Sequence, residues 1–143
     1  MKLHQISVFL ENKPGRLTKP CDALAHAEIN ILTLSLADTQ NFGILRIIVE
    51  DWEKAFNVLE KAGAVVKITE VVAIKVPDSP GGLSGILHVF EKAGINIDYM
   101  YAFTTKRGVD SILIMRFDKV DEAIEILRKS GVVIVDKISL FAR

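Results

Sequence analysis

The sequence predicts an α+β protein that contains two copies of one β-α-β-β-α-β unit. The first observation is an internal repeat, because Ile29-Asn30-Ile31 recurs 66 residues later as Ile95-Asn96-Ile97. The same offset places Pro14-Gly15 on Pro80-Gly81, and the offset becomes 68 further downstream. The second observation is that strand-like and helix-like apolar spacing follow one another in the same order in both halves. A repeated order of elements, with a short insertion in one turn, predicts a duplicated domain.

The chain of 143 residues is therefore expected to form two small units, residues 1–70 and residues 71–143. A domain of about 70 residues buries only about 60% of the surface of its unfolded chain, so each half alone would be marginally stable. Hydrophobic residues make up 50% of the sequence, which is enough for a core and an interface. We expect the halves to pack on each other or on a second chain, and a homodimer is the predicted assembly.

The charges of the chain balance, with 18 basic and 18 acidic residues and no long run of either sign. Nucleic-acid binding requires a basic surface, so nucleic acid is not expected as a partner. No apolar run approaches the ~18 residues that span a bilayer, and no signal segment precedes the first strand, so no membrane partner is expected. The one cysteine, Cys21, cannot form an intrachain disulfide. The predicted location is the cytoplasm.

Residue spacing predicts the elements of the first unit in order. Pro20 lies in the first helix and is expected to loosen its first turn. Asp51 is expected to cap the second helix, and Gly63 lies where a left-handed residue commonly ends a helix. The predicted strands are residues 3–10, 29–37, 44–49 and 65–76, and the predicted helices are residues 16–28 and 52–62.

The second unit repeats this order without a linker. Residues 71–76 are expected to close the first unit and to open the second one, as a single long strand. Each unit is then a split βαβ, or ferredoxin-like, arrangement in which two helices cover one face of a four-stranded antiparallel sheet. The other predicted elements are strands at residues 95–103, 111–117 and 132–141, helices at residues 83–93 and 120–130, and a loop at residues 105–109.

Two loop motifs carry a resemblance to a known family. Asn12-Lys13-Pro14-Gly15-Arg16-Leu17 leads into Ile29-Asn30-Ile31, and Asp78-Ser79-Pro80-Gly81-Gly82-Leu83 leads into Ile95-Asn96-Ile97. With this spacing and order of elements, the chain resembles the ACT domain, a small ligand-sensing module of amino-acid metabolism, in two copies over essentially all 143 residues. It is also similar to tandem ACT proteins that carry no enzyme domain.

The resemblance implies an amino acid as ligand, bound where the first loop and helix start of one unit meet the sheet of another. Glycine in these loops would let the backbone approach a ligand and would leave N–H groups at a helix start for a carboxylate. Asparagine side chains can both donate and accept hydrogen bonds, as a zwitterion requires. The candidate ligand-binding residues are Asn12, Lys13, Pro14, Gly15, Arg16, Leu17, Asn30, Ile31, Ser35, Pro80, Gly81, Gly82, Leu83, Asn96 and Ile97.

Each of these motifs also has a purely structural interpretation. A Pro-Gly pair can serve only to reverse the chain before a helix. Asn30 and Asn96 can satisfy backbone groups where a helix passes into a strand. The repetition of the motifs favours ligand contact for at least one loop, and the sequence is compatible with both interpretations.

The sheet face opposite the helices predicts a further interface. If Leu32, Leu34 and Leu36 face the helices, then Thr33, Ser35 and Ala37 lie on the open face. The 66-residue offset places large aromatic side chains at those positions in the second unit, and such a surface is expected to be covered. Arg46 would lie nearby as a carboxylate anchor, or as a solvated surface cation. The candidate interface residues are Arg46, Tyr99, Tyr101 and Phe103.

Neither metal binding nor catalysis is indicated by the sequence. His4, His26 and His88 lie in different elements without ligand spacing, and Cys21 is expected to be a buried apolar residue. No phosphate loop and no nucleophile, base and acid set stands out, so no enzyme activity and no cofactor are predicted. The predicted function is that of a regulatory module that binds an amino acid and acts on an enzyme or regulator partner. The alternative is a protein-binding regulatory subunit with degenerate ligand sites.

Overall fold

The computed structural model describes residues 1–142, and the side chains of residues 105 and 106 are outside this description. The elements are β1 (Leu3–Glu11), α1 (Thr18–His26), β2 (Thr33–Thr39), β3 (Phe42–Ile48), α2 (Trp52–Lys61), β4 (Val65–Pro77), α3 (Gly82–Ala93), β5 (Ile97–Lys106), β6 (Asp110–Phe117), α4 (Val120–Lys129), β7 (Ile134–Val135) and α5 (Lys137–Phe141). Both copies therefore contain the predicted β-α-β-β-α-β order. The predicted loop at residues 105–109 is shorter, because β5 continues through Lys106.

The chain divides into two compact units. The unit formed by His4–Thr69 has the strand order β2-β3-β1-β4, with antiparallel pairing of β1 and β2 to β3. Helices α1 and α2 pack on one face of this sheet and close its core. That core contains Ile6, Val8, Leu24, Leu45, Ile47, Val49, Ala55 and Leu59.

The other unit contains the chain from Glu70 onward together with Met1–Leu3. Its strand order is β7-β4-β6-β5, with antiparallel pairing throughout. Lys2 belongs to this unit because its ammonium pairs with Glu70 at 3.2 Å and with Asp121 at 2.9 Å. The core contains Val72, Ile74, Val76, Ile86, Phe90, Ile95, Leu113, Met115, Phe117, Ala123 and Leu127.

Strand β4 confirms the expectation of one long strand without a linker. It runs unbroken for 13 residues, and the division between the compact units falls after Thr69. Val66 and Ile68 pack against the first core, whereas Val72 and Ile74 belong to the second. These positions all have the same parity, so the alternation of the strand directs them to its helix-covered face.

Helix α2 has the cap and the glycine turn that the sequence predicts at its two ends. The Asp51 carboxylate accepts a hydrogen bond from the Lys54 N–H at 3.1 Å, which satisfies a group that a helix start leaves unpaired. Gly63 has φ of 85° just after the end of α2. Helix α1 differs from its prediction, because it begins at Thr18 and not at residue 16. Pro20 therefore lies in the first turn, where its missing N–H removes no helical bond.

Two predicted strands are wrong in extent. Residues 29–32 precede β2 and are not strand, because the Ile29 N–H still donates to the Leu24 carbonyl and closes the end of α1. The final strand was predicted at residues 132–141, but β7 has only two residues and α5 follows it. The reason is Asp136, whose carboxylate accepts from the Ser139 N–H at 2.7 Å and starts a helix.

The predicted orientation of β2 is confirmed by its register with β3. Leu34 lies opposite Ile47 and Leu36 opposite Leu45, which places both leucines on the helix-covered face. They nevertheless remain 51% and 54% exposed, and β2 lies at the edge of the sheet. The first unit thus presents an uncovered apolar edge.

Glu28 is the one non-glycine residue with positive φ in residues 1–142, at 58°. In the second copy of the repeat, Glu28 corresponds to Gly94, which has φ of 70°. Both residues end the first helix of their unit, and a left-handed residue at this point closes the helix. A side chain with a Cβ is strained in this conformation, and glycine is not.

We expect Glu28→Gly to stabilise the protein and Gly94→Glu to destabilise it. Glycine relieves the left-handed strain in the folded state, but it also gives the unfolded chain more freedom, which offsets part of this effect. The free energy of unfolding should therefore rise by about 0.5–1 kcal/mol in Glu28→Gly. The melting temperature should rise by roughly 2–4 °C for a chain of this size. Thermal unfolding followed by circular dichroism measures both variants. A lower melting temperature for Glu28→Gly would contradict this account of the turn.

Candidate ligand-binding site

The β4–α3 loop of the second unit (residues 78–81) is held in a tight turn by its backbone. Gly81 has φ of 86°, a conformation that side chains with a Cβ rarely adopt. A Cβ on Gly82 would overlap the carbonyl oxygen of Pro77, so the chain folds back on the end of β4. The Gly82 N–H donates to the Ser79 carbonyl at 3.1 Å. Glycine at position 82 therefore lets the loop backbone pass close to the end of β4.

Helix α3 begins without a side-chain cap. Its N-cap residue is Gly81, and no side chain accepts a hydrogen bond there. The Gly85 N–H donates to the Gly81 carbonyl at 2.9 Å, which is the first helical bond. The uncapped helix start carries a partial positive charge that favours an anionic group nearby.

A pocket of about 490 Å³ lies beside this loop within the second unit. Its volume lies in the range of small-molecule sites. Its walls combine apolar side chains with one carboxylate, one guanidinium and two hydroxyl groups. The lining residues are Val76, Pro77, Asp78, Ser79, Pro80, Leu83, Ala102, Arg107, Gly108, Ser111 and Leu113.

Asp78 joins the β4–α3 loop to the β5–β6 hairpin across the pocket. Its carboxylate accepts a hydrogen bond from the Gly108 N–H at 2.7 Å, and its own N–H donates to the Val109 carbonyl at 3.1 Å. The hairpin also carries Arg107, whose side chain is exposed at the pocket. One hydrogen bond accepted by Asp78 and one donated by it therefore hold the two loops together at the pocket wall in this arrangement.

The β1–α1 loop of the first unit (residues 12–17) resembles the β4–α3 loop in its backbone, but its side chains carry different charges. Gly15 has φ of 85°, and the Asn12 N–H donates to the Asn41 carbonyl at 3.0 Å. The Glu11 carboxylate pairs with Lys13 at 3.0 Å and with Arg16 at 3.6 Å. The hydrogen bond and charge of Lys13, with a further contribution from Arg16, lower the pKa of Glu11.

Asn30 and Asn96 lie at the opposite end of their units from these loops. The Asn96 N–H donates to Asp118 just after β6, whereas the Asp78 N–H donates to Val109 just before β6. Strand β6 has eight residues, so the two ends are about 20 Å or more apart. The Asn96 amide also donates to Asp98 at 3.1 Å. Within one unit, the structure does not bring the predicted loop and asparagine residues together.

The predicted residues therefore fall into separate groups. Pro80 and Leu83 line the pocket of the second unit, and Gly81 and Gly82 shape the loop beside it. Arg16 is exposed in the β1–α1 loop. Sequence reasoning missed Asp78 and Arg107 as site residues. Asp78 is part of the second loop motif. Arg107 lies in the β5–β6 hairpin, where the offset of the repeat changes, so the different lengths of the two hairpins could have indicated it as a site residue.

The predicted interface residues lie on the sheet faces away from the helices. Arg46 is opposite Ser35 and Ser7, whereas Tyr99 is opposite Arg116. Tyr101 and Phe103 lie opposite Ile114 and Ile112 on the same face of the second unit. Their role as an interface stays a prediction.

Other potential sites in the described part of the chain are limited. Cys21 is half-buried against the first core, and burial raises the pKa of its thiol. Among the described residues, no group of three or more histidine, cysteine or acidic side chains is placed to hold a metal ion. Of the helices in this part of the chain, none is long and apolar enough to cross a membrane.

The fold and the loops define a pair of ferredoxin-like modules with glycine turns at matched positions. The ACT domain pair family matches residues 1–142, and the chain belongs to this family. This finding confirms the resemblance that the two loop motifs carried. A search of curated proteins found no match.

Several solved structures are similar to this chain. The protein BT0572 from Bacteroides thetaiotaomicron is 38% identical, with a TM-score of 0.92 over 99% of this chain and 96% of that one. The regulatory subunit of aspartate kinase from Thermus thermophilus is 15% identical, with a TM-score of 0.62 over 88% of this chain and 90% of that one. The corresponding subunit from Thermus flavus is 17% identical, with a TM-score of 0.63 over 87% and 88%. At these identities, the Thermus structures show the shared fold.

We expect Lys13→Ala to raise the pKa of Glu11 toward its ordinary value, because the hydrogen bond and charge of Lys13 lower it. The ion pair's stabilisation is therefore present above the ordinary pKa of a glutamate and is lost as the pH falls through the lowered pKa of the folded state. A carbon-13 NMR titration of the carboxylate measures the shift. Lys67→Ala is the control and should leave the Glu11 pKa unchanged. An unchanged Glu11 pKa in Lys13→Ala would contradict the assigned ion pair.

Proposed function

We propose that this protein is a non-catalytic regulatory module that binds a small amino acid in the pocket of the second unit. The observation that carries the proposal is that one carboxylate and one guanidinium, those of Asp78 and Arg107, line the same pocket. A zwitterion needs an acceptor for its ammonium group and a donor for its carboxylate. Membership in the ACT domain pair family supports a ligand of this class.

The geometry assigns different ends of the ligand to different loops. Arg107 and the uncapped start of α3 would both favour the carboxylate, because guanidinium groups bind carboxylates well and helix starts are partly positive. Asp78 would accept from the ammonium group while it keeps its bond to the Gly108 N–H. The apolar wall formed by Val76, Leu83 and Leu113 would contact the side chain of the amino acid.

Regulation would follow from the position of the ligand between two loops. A ligand shifts an equilibrium only if it binds one arrangement more tightly than another. An amino acid that contacts both the β4–α3 loop and the β5–β6 hairpin would favour the arrangement in which these loops are close. The Thermus structures are regulatory subunits of aspartate kinase, which is consistent with an enzyme of amino-acid metabolism as the partner.

A thermal-shift screen of the twenty amino acids, followed by calorimetric titration of each hit, tests this function. Ligand at about 100 times its dissociation constant should stabilise the fold by about 2.7 kcal/mol, which raises the melting temperature by several degrees. Arg107→Ala should weaken binding at least roughly tenfold, because a charged donor to a carboxylate contributes about 1.5–3 kcal/mol. Lys129→Ala, which removes an exposed cation from α4, should bind as the parent does. A folded, ligand-free protein that responds to none of the twenty would contradict the proposal.

A second candidate function is protein contact through the β2 edge, and the exposure of Leu34 and Leu36 favours it. An edge strand presents unpaired backbone groups, and an exposed apolar edge strand readily pairs with another chain. We propose a second copy of this chain as the occupant, because antiparallel addition of β2 to its own copy is self-complementary. This arrangement would give the homodimer that the sequence analysis expected.

We expect Leu36→Lys to convert the homodimer into a monomer, since two lysines would face each other across the paired edges. Light scattering coupled to gel filtration measures the mass. Ile138→Lys is the control, because it replaces a residue that is 82% exposed on a different element. A parent protein that is monomeric at all concentrations, or a dimer unchanged by Leu36→Lys, would contradict the edge as the contact.

A further inference from the structure

Ala102 is a small side chain of β5 on the wall of the second-unit pocket. It lies directly opposite Leu113, which belongs to the second core, so both side chains point to the helix-covered face of the sheet. Leu83, at the start of α3, lines the same pocket. Ala102 is nevertheless exposed. Because it is exposed and lines a cavity, the pocket has room for a larger apolar group beside it.

The first unit has a leucine at the equivalent position. The 66-residue offset makes Leu36 the equivalent of Ala102. Both residues lie on the helix-covered face, because each is paired with a core leucine of the neighbouring strand. The Cδ1 atom of Leu36 lies 3.6 Å from the position that a Cβ on Gly43 would occupy. The leucine side chain therefore extends along the sheet toward Gly43, near the end of the β2–β3 hairpin.

The equivalent of Gly43 is Ser111, which lines the second-unit pocket. A leucine at position 102 with the orientation of Leu36 would extend toward Ser111 and into this pocket. A separation of 3.6 Å is an ordinary van der Waals contact, so the Cβ of Ser111 would not obstruct such a group. The space that Leu36 occupies in the first unit is therefore part of the pocket in the second unit.

The first unit has a pocket of about 330 Å³ in a different place. It lies beside the end of β1, the start of α1 and the turn that follows α2, and its lining includes Arg16 and Lys19. Neither Leu36 nor Gly43 lines it. The two pockets are therefore not copies of one site.

We propose that Ala102 determines the specificity of the amino-acid site and selects a ligand with an aliphatic side chain. This proposal rests on the function proposed above for the same pocket. The ligand's side chain would lie beside Ala102, in the space that Leu36 occupies in the first unit, and would contact Leu83 and Leu113. A polar side chain would bind less well there, because apolar walls cannot replace its hydrogen bonds to water.

Calorimetric titration of the intact protein with alanine, 2-aminobutyrate and norvaline tests the proposal, because their side chains have one, two and three carbon atoms. The affinity should rise about fourfold with each added methylene group, as expected for its transfer from water to an apolar site. Serine has a hydroxyl group where 2-aminobutyrate has a methyl group. It should therefore bind more weakly than 2-aminobutyrate.

Ala102→Leu should reverse the order of the series, so that alanine binds more tightly than norvaline, because the new side chain fills the space. The first unit accommodates leucine at this position, so the variant should fold, and circular dichroism verifies this. A purely structural effect would weaken the three ligands equally. Met100→Leu is the control, because Met100 lies on the same face of β5 but does not line the pocket. It should keep the order of the parent.

Failure of this inference is distinguishable from failure of the amino-acid site. Equal affinities across the series, serine binding as tightly as 2-aminobutyrate, or an unchanged order in Ala102→Leu would each overturn the role of Ala102 and leave the site intact. Arg107→Ala should weaken all three ligands by the same factor, because they share one carboxylate. Absence of binding by every amino acid would overturn the proposed function, and this inference with it.

Discussion

Strand β4 is the constraint on which the rest of the molecule depends, because one strand of 13 residues supplies side chains to two cores. Val66 and Ile68 contribute to the first core, and Val72, Ile74 and Val76 to the second. All five share one parity, so a shift of the register by one residue would turn all of them away from the helices. Insertions are therefore tolerated in the hairpins and not in β4, which agrees with the location of the two-residue difference between the copies.

The sequence was sufficient to predict the fold because the repeat and the local periodicity point to the same arrangement. Apolar spacing predicted helices α1 to α4, and the Asp51 cap and the Gly63 turn were readable as local signals. The errors occurred where side chains determine how an element ends. Asp136 starts α5 by accepting from the Ser139 N–H, whereas the apolar pattern around it predicts a continuing strand. The apolar segment before β2 looked like a strand although its first N–H closes α1.

The candidate site was only partly predictable, since its residues meet through contacts that are distant in the sequence. Pro80 and Leu83 were identified from the loop motif, and both line the pocket. Asp78 bonds to Gly108, 30 residues away, and no periodicity indicates such a contact. The position of Arg107 on the pocket wall depends on this bond between the loop and the hairpin. The exposure of Leu34 was also hidden, because the pattern of a strand gives its face but not its place at the edge of a sheet.

Duplication has preserved the backbone of the two units and changed the chemistry of their loops. Gly15 and Gly81 have φ of 85° and 86°, and Gly63 and Gly131 have φ of 85° and 73°. The side chains around these matched turns differ, because Arg16 and Lys19 lie beside the first pocket and Asp78 and Arg107 beside the second. Equal turns with unequal linings are expected if the left-handed turns require glycine, whereas the side chains that line each pocket are free to differ.

The most direct measurement of the central claim is a pair of amide proton–nitrogen NMR spectra, recorded with and without the amino acid that stabilises the protein most. If the ligand binds between the β4–α3 loop and the β5–β6 hairpin, the largest changes will occur at Ser79, Gly82 and Gly108. The Gly108 signal is the most informative, because its N–H donates to the Asp78 carboxylate that the ligand would approach. Changes confined to Asn30 and Asn96 would contradict the account, as those residues lie at the far end of each unit.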